Sequence, residues 1–484
     1  MISNRSPFVL AVLGFFLSAI ALFFGTGLHP LWWLTWLAAI PVLLVAPRLS
    51  GIWAFLVTFF AWGVGALNQW HFFLSGLKIP FLTVVLFTVL PAVVFGLAVL
   101  AYRASVLRGS LWRAALIVPS LWVVAEFINS RISIHSTAGN LAYSQMNFLP
   151  ILQIASLTGI WGISFCIFLF AATASILVGS YGSARGRRWL GITVGCVLIA
   201  VLGFGAWRLL STPASPTVKV ALLSSDLKQN LQTEQHAATV RLLNDYIAQA
   251  QKAAQEGAKV VVIPEKIAVL TLADIDDVDQ LLQSAANQTG ETIVVGVIHV
   301  TEDAKLNEAR VYSPNAEILT YEKHHLLPPF ESNLRPGTRL TEWQHPSGLW
   351  GVEICKDMDF PALSRNYGND GVGLMLVPAW DFGADGWLHG RMAILRGVES
   401  GFSIVRSPKE GILTVSDDRG RVIAQQASSA SPFVSLVAEV PVHSDHTLYA
   451  SEGDWFAWAN MALFVVLLIS RWLLPGRPVV RQSS

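Results

Sequence analysis

Three polar side chains in the second half of this chain stand at the ends of apolar runs or open a proline-rich one. Glu265 closes AKVVVIPE (258–265), and Cys355 closes GVEIC just ahead of Lys356 and Asp357. Between them Lys323 opens KHHLLPPFE, which carries two histidines and ends on Glu331. A cysteine at a strand end beside a lysine is well placed for a lowered thiol pKa. A glutamate can take its proton, and a lysine ammonium can hold a tetrahedral oxyanion. Together they suffice for acyl transfer through a thioester. Each residue also has a plainer reading: an inert buried thiol, a solvated lysine, a helix N-cap for Glu265. Spacing alone leaves both readings open. His324 and His325 would suit a metal, but no third or fourth ligand stands at a matching spacing, so no metal or other cofactor is expected. His389, near Trp387, reads as a hydrogen-bonded structural histidine. Cys166 and Cys196 lie in apolar runs, and the three cysteines form neither a disulfide framework nor a CxxC knuckle.

The elements that must position these residues alternate in type. Strand-like runs cover 218–227, 258–265, 291–300, 348–355 and 372–380, with more from Phe402 to Val442. Helical spacing covers about 233–256, 273–288 and 387–400, and a hairpin is expected around Ser313–Ala316. Such alternation implies layered α/β packing with sites at strand ends.

The first half differs in kind. Over the 484 residues 53% are apolar and 13% charged, against roughly 25% charge in soluble chains, which excludes a wholly soluble protein. Residues 1–211 hold one acidic side chain, Glu126, and eleven basic ones; residues 212–455 hold the other 31 acids against 19 Lys and Arg. No basic stripe exists there, so a nucleic-acid partner is excluded.

A bilayer core of ~30 Å takes about 20 apolar residues per helix. Runs of that kind occupy about 8–26, 30–46, 51–73, 80–102, 111–128, 149–180, 189–210 and 456–474. The first is expected to remain as a span, because no small-residue cleavage site follows it. The expected layout is a seven-span membrane domain (1–211), an extramembrane α/β domain (217–442) and a C-terminal transmembrane helix (456–474). With the N-terminus inside, Arg5, Arg48, Arg103, Arg108, Arg113, Arg185, Arg187, Arg188, Arg471, Arg477 and Arg481 fall on the cytoplasmic side. Only Lys78, Arg131 and Arg208 fall opposite. Both termini are therefore expected in the cytoplasm and the acidic domain on the far side. Glu126 is either a functional intramembrane carboxylate or a wet helix-end partner of Arg131. The lack of internal repeats and of charges for an ion path weighs against a transporter.

The order Glu265, Lys323, Cys355 in an α/β segment resembles the nitrilase (carbon–nitrogen hydrolase) superfamily, and the whole layout resembles its apolipoprotein N-acyltransferase family. In the membrane part the likeness rests on LWVVAEF (121–127), Arg131, Leu141-Ala142-Tyr143-Ser144-Gln145 and LQIASLTGIWGISF (152–165). In the second part YEKHHLLPPFE is similar to the family's Y-x-K-x-H-L-V-P-F-G-E. Arg396, Glu399, Arg406 and Gly411 fall where the family has R-x-x-E, a later Arg and a Gly. Departures accompany it. C-Y-E becomes Cys355-Lys356-Asp357, P-E-T-A becomes Pro264-Glu265-Lys266-Ile267, and P-F-G-E becomes Pro328-Pro329-Phe330-Glu331. The N-D-A-W-F-like run becomes Val377-Pro378-Ala379-Trp380-Asp381-Phe382, and the stretch from Lys323 to Cys355 is short for the family. The triad stays intact while the pocket rim changes, as in a diverged paralogue.

The resemblance implies a four-layer αββα sandwich joined to an eight-span α-helical membrane domain in a bacterial inner membrane, the catalytic domain on the periplasmic side. It implies a membrane acyltransferase, acting as a monomer, that moves a fatty acyl group from a phospholipid through a thioester on Cys355 to the N-terminal amine of a lipoprotein. Glu265 would be the base and Lys323 the oxyanion holder. Glu331 and Asp357 would orient that lysine or the amine, and Trp380, Phe382 and Trp387 would line an acyl groove. Two other readings compete: a membrane-tethered amidase of the same fold, with water taking the thioester, and a non-catalytic scaffold.

Overall fold

In a computed structural model, residues 6–211 and 214–473 are described, apart from the side chains of 471–473. Arg5, Arg477, Arg481 and the Arg471 side chain, all part of the charge bias above, lie outside the described residues. The chain divides into two compact units, Met1–Leu210 with Asp454–Ser484, and Ser211–Gly453.

The first unit is helical. Ser6 caps α1 (Pro7–Gly25), where Pro7 fills a position that lacks an internal hydrogen bond in any case. The apolar run that follows breaks into α2 (Trp32–Ala38) and α3 (Ile40–Val45), with Pro41 in the first turn of α3. Next come α4 (Gly51–Gly65), α5 (Phe81–Leu107) and α6 (Leu111–Ile132). The run at 149–180 is not one helix. It splits into α7 (Leu149–Leu152), α8 (Ala155–Thr158) and α9 (Ile160–Val178), with Gly159 between the last two at φ +64°. α10 (Ala184–Leu210) completes the series before the second unit.

Among the described residues, six helices are long and apolar enough to cross a membrane: Pro7–Gly25, Gly51–Gln69, Phe81–Leu107, Leu111–Ile132, Ile160–Val178 and Ala184–Leu210. The expected count of eight is not reached on length, because Trp32–Arg48 is broken and Trp455–Ser470 is short. Close packing marks the interior: a Cβ on Gly65 would lie 2.4 Å from Leu22 Cβ, so α1 and α4 approach where a small residue stands. Arg131 pairs with Asp454, which also accepts the Trp161 indole N–H at 2.8 Å. Glu126 is therefore not the partner of Arg131; its Oε1 accepts the Leu141 amide at 2.8 Å.

The second unit is the expected αββα sandwich. Its elements are β1 (Thr217–Ser224), α11 (His236–Gln255), β2 (Val260–Ile263), β3 (Val269–Leu270) and α12 (Ile275–Thr289). They continue with β4 (Thr292–Val300), β5 (Lys305–Tyr312), β6 (Leu319–Glu322), β7 (Glu342–His345) and β8 (Gly348–Val352). The last group is α13 (Pro361–Asp370), β9 (Leu374–Trp380), α14 (Gly386–Ser400), β10 (Ser403–Lys409), β11 (Ile412–Ser416), β12 (Val422–Ala427) and β13 (Val434–Pro441). One sheet runs β13-β1-β2-β4-β5-β6 with β3 beside β4, the other β12-β11-β10-β9-β8-β7.

Three apolar layers hold these four together. Along β2, Val260 and Val262 face the other sheet and meet Trp350, Leu374 and Val405 in one core, while Val261 and Ile263 face Leu242 and Tyr246 of α11 and Leu282 of α12 in another. The period-2 alternation of a strand thus divides two apolar faces, so β2 is continuously hydrophobic. A third core joins Met375, Val377 and Ile404 to Leu363 and Tyr367 of α13 and Ala393 of α14. Each fully buried Val or Leu contributes roughly 1.5–3 kcal/mol.

Candidate active site

Glu265, Lys323 and Cys355 each sit just past a strand end, where the ladder stops and side chains are free to converge. Glu265 follows β2, Lys323 follows β6, Cys355 follows β8, and Trp380 ends β9. The backbone is bent sharply at two of these points: Lys266 has φ +52° and Cys355 has φ +45°. Such conformations persist in non-glycine residues only where the surroundings over-determine them. Gly296 of β4 permits the first bend, since a Cβ there would lie 2.4 Å from Glu265 Cα.

Glu265, Lys323 and Glu331 are buried together. Lys323 Nζ donates to Glu265 Oε1 at 2.8 Å and to Glu331 Oε2 at 2.9 Å. Asn307 Nδ2 donates to Glu265 Oε1 at 2.6 Å and to Glu331 Oε1 at 2.8 Å. Lys266 Nζ adds a bond to Glu331 Oε1 at 2.7 Å and lies 3.6 Å from Glu265 Oε1. Burial pushes the Glu265 carboxyl up, but the Lys323 and Lys266 charges and these bonds overcome it and hold the pKa at about 2. Lys323 is held well above the ordinary lysine value: burial opposes its charge, and Glu265, Glu331 and the Cys355 thiol restore it.

Cys355 is partly exposed, and its Sγ donates to the Trp380 carbonyl at 3.5 Å. Its thiol pKa is raised, foremost by burial and next by the Glu265 charge, with Lys323 pulling the other way. The sequence pointed to a lowered value through the neighbouring lysine. The structure reverses this, foremost because the thiol is buried and next because the Glu265 carboxylate acts on it, while Lys356 Nζ donates to the Leu326 carbonyl at 3.1 Å. The resting group is a thiol that needs a base.

Asp357 is held by a separate set of bonds. Its carboxylate accepts from the Tyr321 hydroxyl and the His325 amide, both at 2.7 Å, and from His325 Nδ1 at 3.1 Å. It ties the segment after Lys323 to the turn after Cys355, and its contacts are to these groups rather than to the Lys323 ammonium. Among the described residues no group of three or more His, Cys, Asp or Glu is placed to hold a metal. His325 stacks on Phe360, and His324 on Tyr321.

The three aromatic residues separate. The Trp380 indole donates to Glu410 Oε2 at 2.7 Å, and Lys409 Nζ lies 3.5 Å from its ring centroid. Phe382 meets the exposed Phe330 at 5.5 Å between ring centroids. Trp387 lies under the Arg391 guanidinium, beside Ile412, Thr414 and Gln425. Beneath Trp380, Arg406 donates to Asp381 at 2.8 Å through Nη1, both groups fully buried. His389 joins them, 3.4 Å from Asp381 and 3.5 Å from Asp385.

Sequence reasoning missed Asn307, and treated Lys266 only as a departure from pattern. Lys266 carried a signal, a charge directly after the proposed base. Asn307 carried little beyond being an amide in a strand of largely buried residues.

The chain matches two family models. Residues 9–173 match the apolipoprotein N-acyltransferase N-terminal domain, and residues 219–451 match the carbon–nitrogen hydrolase domain. The protein named apolipoprotein N-acyltransferase in Geobacter metallireducens is 27% identical over 95% of this chain and 94% of its own length. The protein of that name in Haemophilus ducreyi is 24% identical over 94% of this chain and 95% of its own. Over nearly its whole length this chain is similar to apolipoprotein N-acyltransferases. The family's N-terminal domain falls within the helical unit and its hydrolase domain within the sandwich. An amidase from Nesterenkonia sp. AN1 superposes on 52% of this chain and 99% of its own, at 18% identity and a TM-score of 0.43.

Proposed function

We propose that this protein is a membrane N-acyltransferase that moves a fatty acyl group from a phospholipid to the N-terminal amine of a lipoprotein. Glu265 takes the thiol proton as Cys355 Sγ attacks the ester carbonyl, and the Lys323 ammonium holds the resulting oxyanion. When the intermediate collapses, the ester C–O bond breaks and Glu265 returns the proton to the departing lysophospholipid. The acceptor amine then attacks the thioester and Glu265 takes a proton from it; the C–S bond breaks and Glu265 returns that proton to the Cys355 sulfur. Glu331 and Asn307 fix Lys323 in place, and Asp357 acts as a positioning residue for the segment that follows it. Phe382, with Phe330, offers apolar surface to the acyl chain; Trp380 shapes the wall behind the thiol, and Trp387 remains a candidate further along the groove.

The observation that carries this reading is the Lys323–Glu265 pair, both members of which act electrostatically on the Cys355 thiol. The Lys/Arg bias supports a multi-pass arrangement in a bacterial inner membrane, with both termini cytoplasmic and the sandwich on the periplasmic side. That topology makes the broken pair α2–α3 and the C-terminal helix crossings as well. Both substrates are lipid-anchored, so a membrane-tethered site meets them by lateral encounter at high effective concentration. The scheme runs on one copy of the chain and uses no cofactor.

A clickable phospholipid given briefly to the purified protein should leave an acyl adduct on Cys355, and a lipoprotein peptide should then discharge it as an N-acyl product. Label retained in Cys355→Ala rejects the nucleophile. Free fatty acid with no acylated amine rejects the transferase in favour of a hydrolase.

A further inference from the structure

The residue after the base and the residue after the nucleophile reach the same segment. Residues 324–331 form a strap whose outer part, Pro328 to Phe330, is exposed, between the buried Lys323 and Glu331. A bond from Glu331 N to Leu327 O at 2.9 Å closes its bend. One end is gripped at Glu331, where Lys266 Nζ donates to Oε1 at 2.7 Å and the Leu327 amide donates to Oε2 at 2.8 Å. The other end is gripped at the Leu326 carbonyl, which accepts from Lys356 Nζ at 3.1 Å. Lys266 is itself braced, because the buried Lys409 Nζ donates to its carbonyl at 3.2 Å and so supports the left-handed turn. Both lysines, and the strap itself, are positions where the sequence departs from the family pattern.

We propose that Lys266 and Lys356 are positioning residues that clamp the apolar strap 324–331 beside the Glu265–Lys323–Cys355 site and limit the size of group that reaches the thiol. The inference rests on reading Cys355 as the acylated thiol. A charge-assisted bond from a largely buried ammonium is strong enough to hold a short loop. The strap's exposed face is apolar, so the chain it admits or excludes is a hydrocarbon one. Releasing either lysine frees one end of the strap; loss of Lys266 also removes a charge that acts on Glu265, an effect that a ratio of two reagents on the same thiol cancels.

The test compares two alkylating agents on Cys355 in the detergent-solubilised full chain: iodoacetamide, and a maleimide bearing a long alkyl group. Lys266→Gln and Lys356→Gln should each raise the ratio of bulky to small reagent rate, by about tenfold for one lost charged hydrogen bond. Lys266→Arg should restore the wild-type ratio. Amide exchange at His325 and Leu327 should quicken in the same glutamine variants. Alkylation at an unchanged ratio, with unchanged exchange, overturns the clamp alone. A thiol that neither reagent touches in any variant overturns the reading of Cys355, and the clamp with it. Should Lys356→Gln not fold, the contrast of Lys266→Gln with Lys266→Arg decides.

Discussion

The two units of this chain bury charge in different ways. In the helical unit charges meet single side chains across helices: Arg131, 52% exposed, meets Asp454, and Arg208 Nη1 meets Gln153 Oε1 at 2.7 Å. In the sandwich, charges are gathered into compensated groups. Glu265, Glu331 and Lys323 share one, Asp381, Arg406 and His389 another. The difference follows from architecture. A helix uses its own backbone groups internally and offers a buried charge mostly side chains from adjacent helices. Strand ends bring several segments and their free amides to one point, so a carboxylate there accumulates partners. Chemistry that needs a buried base and cation is thus favoured at the edge of the sandwich, where the cost of desolvation is met by many bonds.

The largest effect expected from this contrast is on turnover. Cys355→Ala should lower acyl transfer by at least about a thousandfold, and Glu265→Gln by about 10²- to 10⁴-fold, measured as N-acylated lipoprotein peptide by mass spectrometry. Cys355→Ala should not lower the melting temperature as much as breaking a buried pair. Asp381→Asn leaves the buried Arg406 charge uncompensated and should destabilise the sandwich by ~3–5 kcal/mol in denaturant unfolding.

A smaller, pH-dependent effect belongs to His389. Burial lowers its pKa, but Asp385, Asp381 and Asp359 raise it to about 9 from 6.5. A raised cationic group stabilises fully below its unfolded value and loses this as pH rises through its folded value. Stability of the sandwich should therefore fall from about pH 6.5 to about pH 9, and Asp385→Asn should flatten that fall in thermal scans. Glu265 works in the opposite sense: its contribution is present above the ordinary glutamate value of 4.5 and lost as pH falls toward about 2.

The smallest effect is expected at Arg131, whose exposed pair with Asp454 is worth under about 1 kcal/mol. Arg131→Ala should leave thermal unfolding of the helical unit nearly unchanged. A loss as large as that of Asp381→Asn would erase the contrast between the units.

Much of the sandwich was readable from periodicity. The helix expected at 233–256 is α11, Gln255 its last residue, and the turn expected near Ser313–Ala316 joins β5 to β6. The strand-end positions of Glu265 and Cys355 were visible because an apolar run that stops on a polar residue marks where a buried strand leaves the sheet. The helical unit was less legible. Hydropathy averages over breaks, so Pro41 and Gly159 divided runs that composition alone would join. The partners of Asp357 were hidden for another reason: its neighbours in space, Tyr321 and His325, lie more than thirty residues away in sequence.

Local pattern therefore decided which residues are apolar, where strands end, and that the chain enters a membrane, since burial and periodicity are properties of short windows. Only the tertiary structure decided that Asn307 and Lys266 meet Glu331, and that the Cys355 thiol is raised rather than lowered. Those outcomes depend on which strand ends lie side by side and on how many charges surround a buried group, and neither quantity is local.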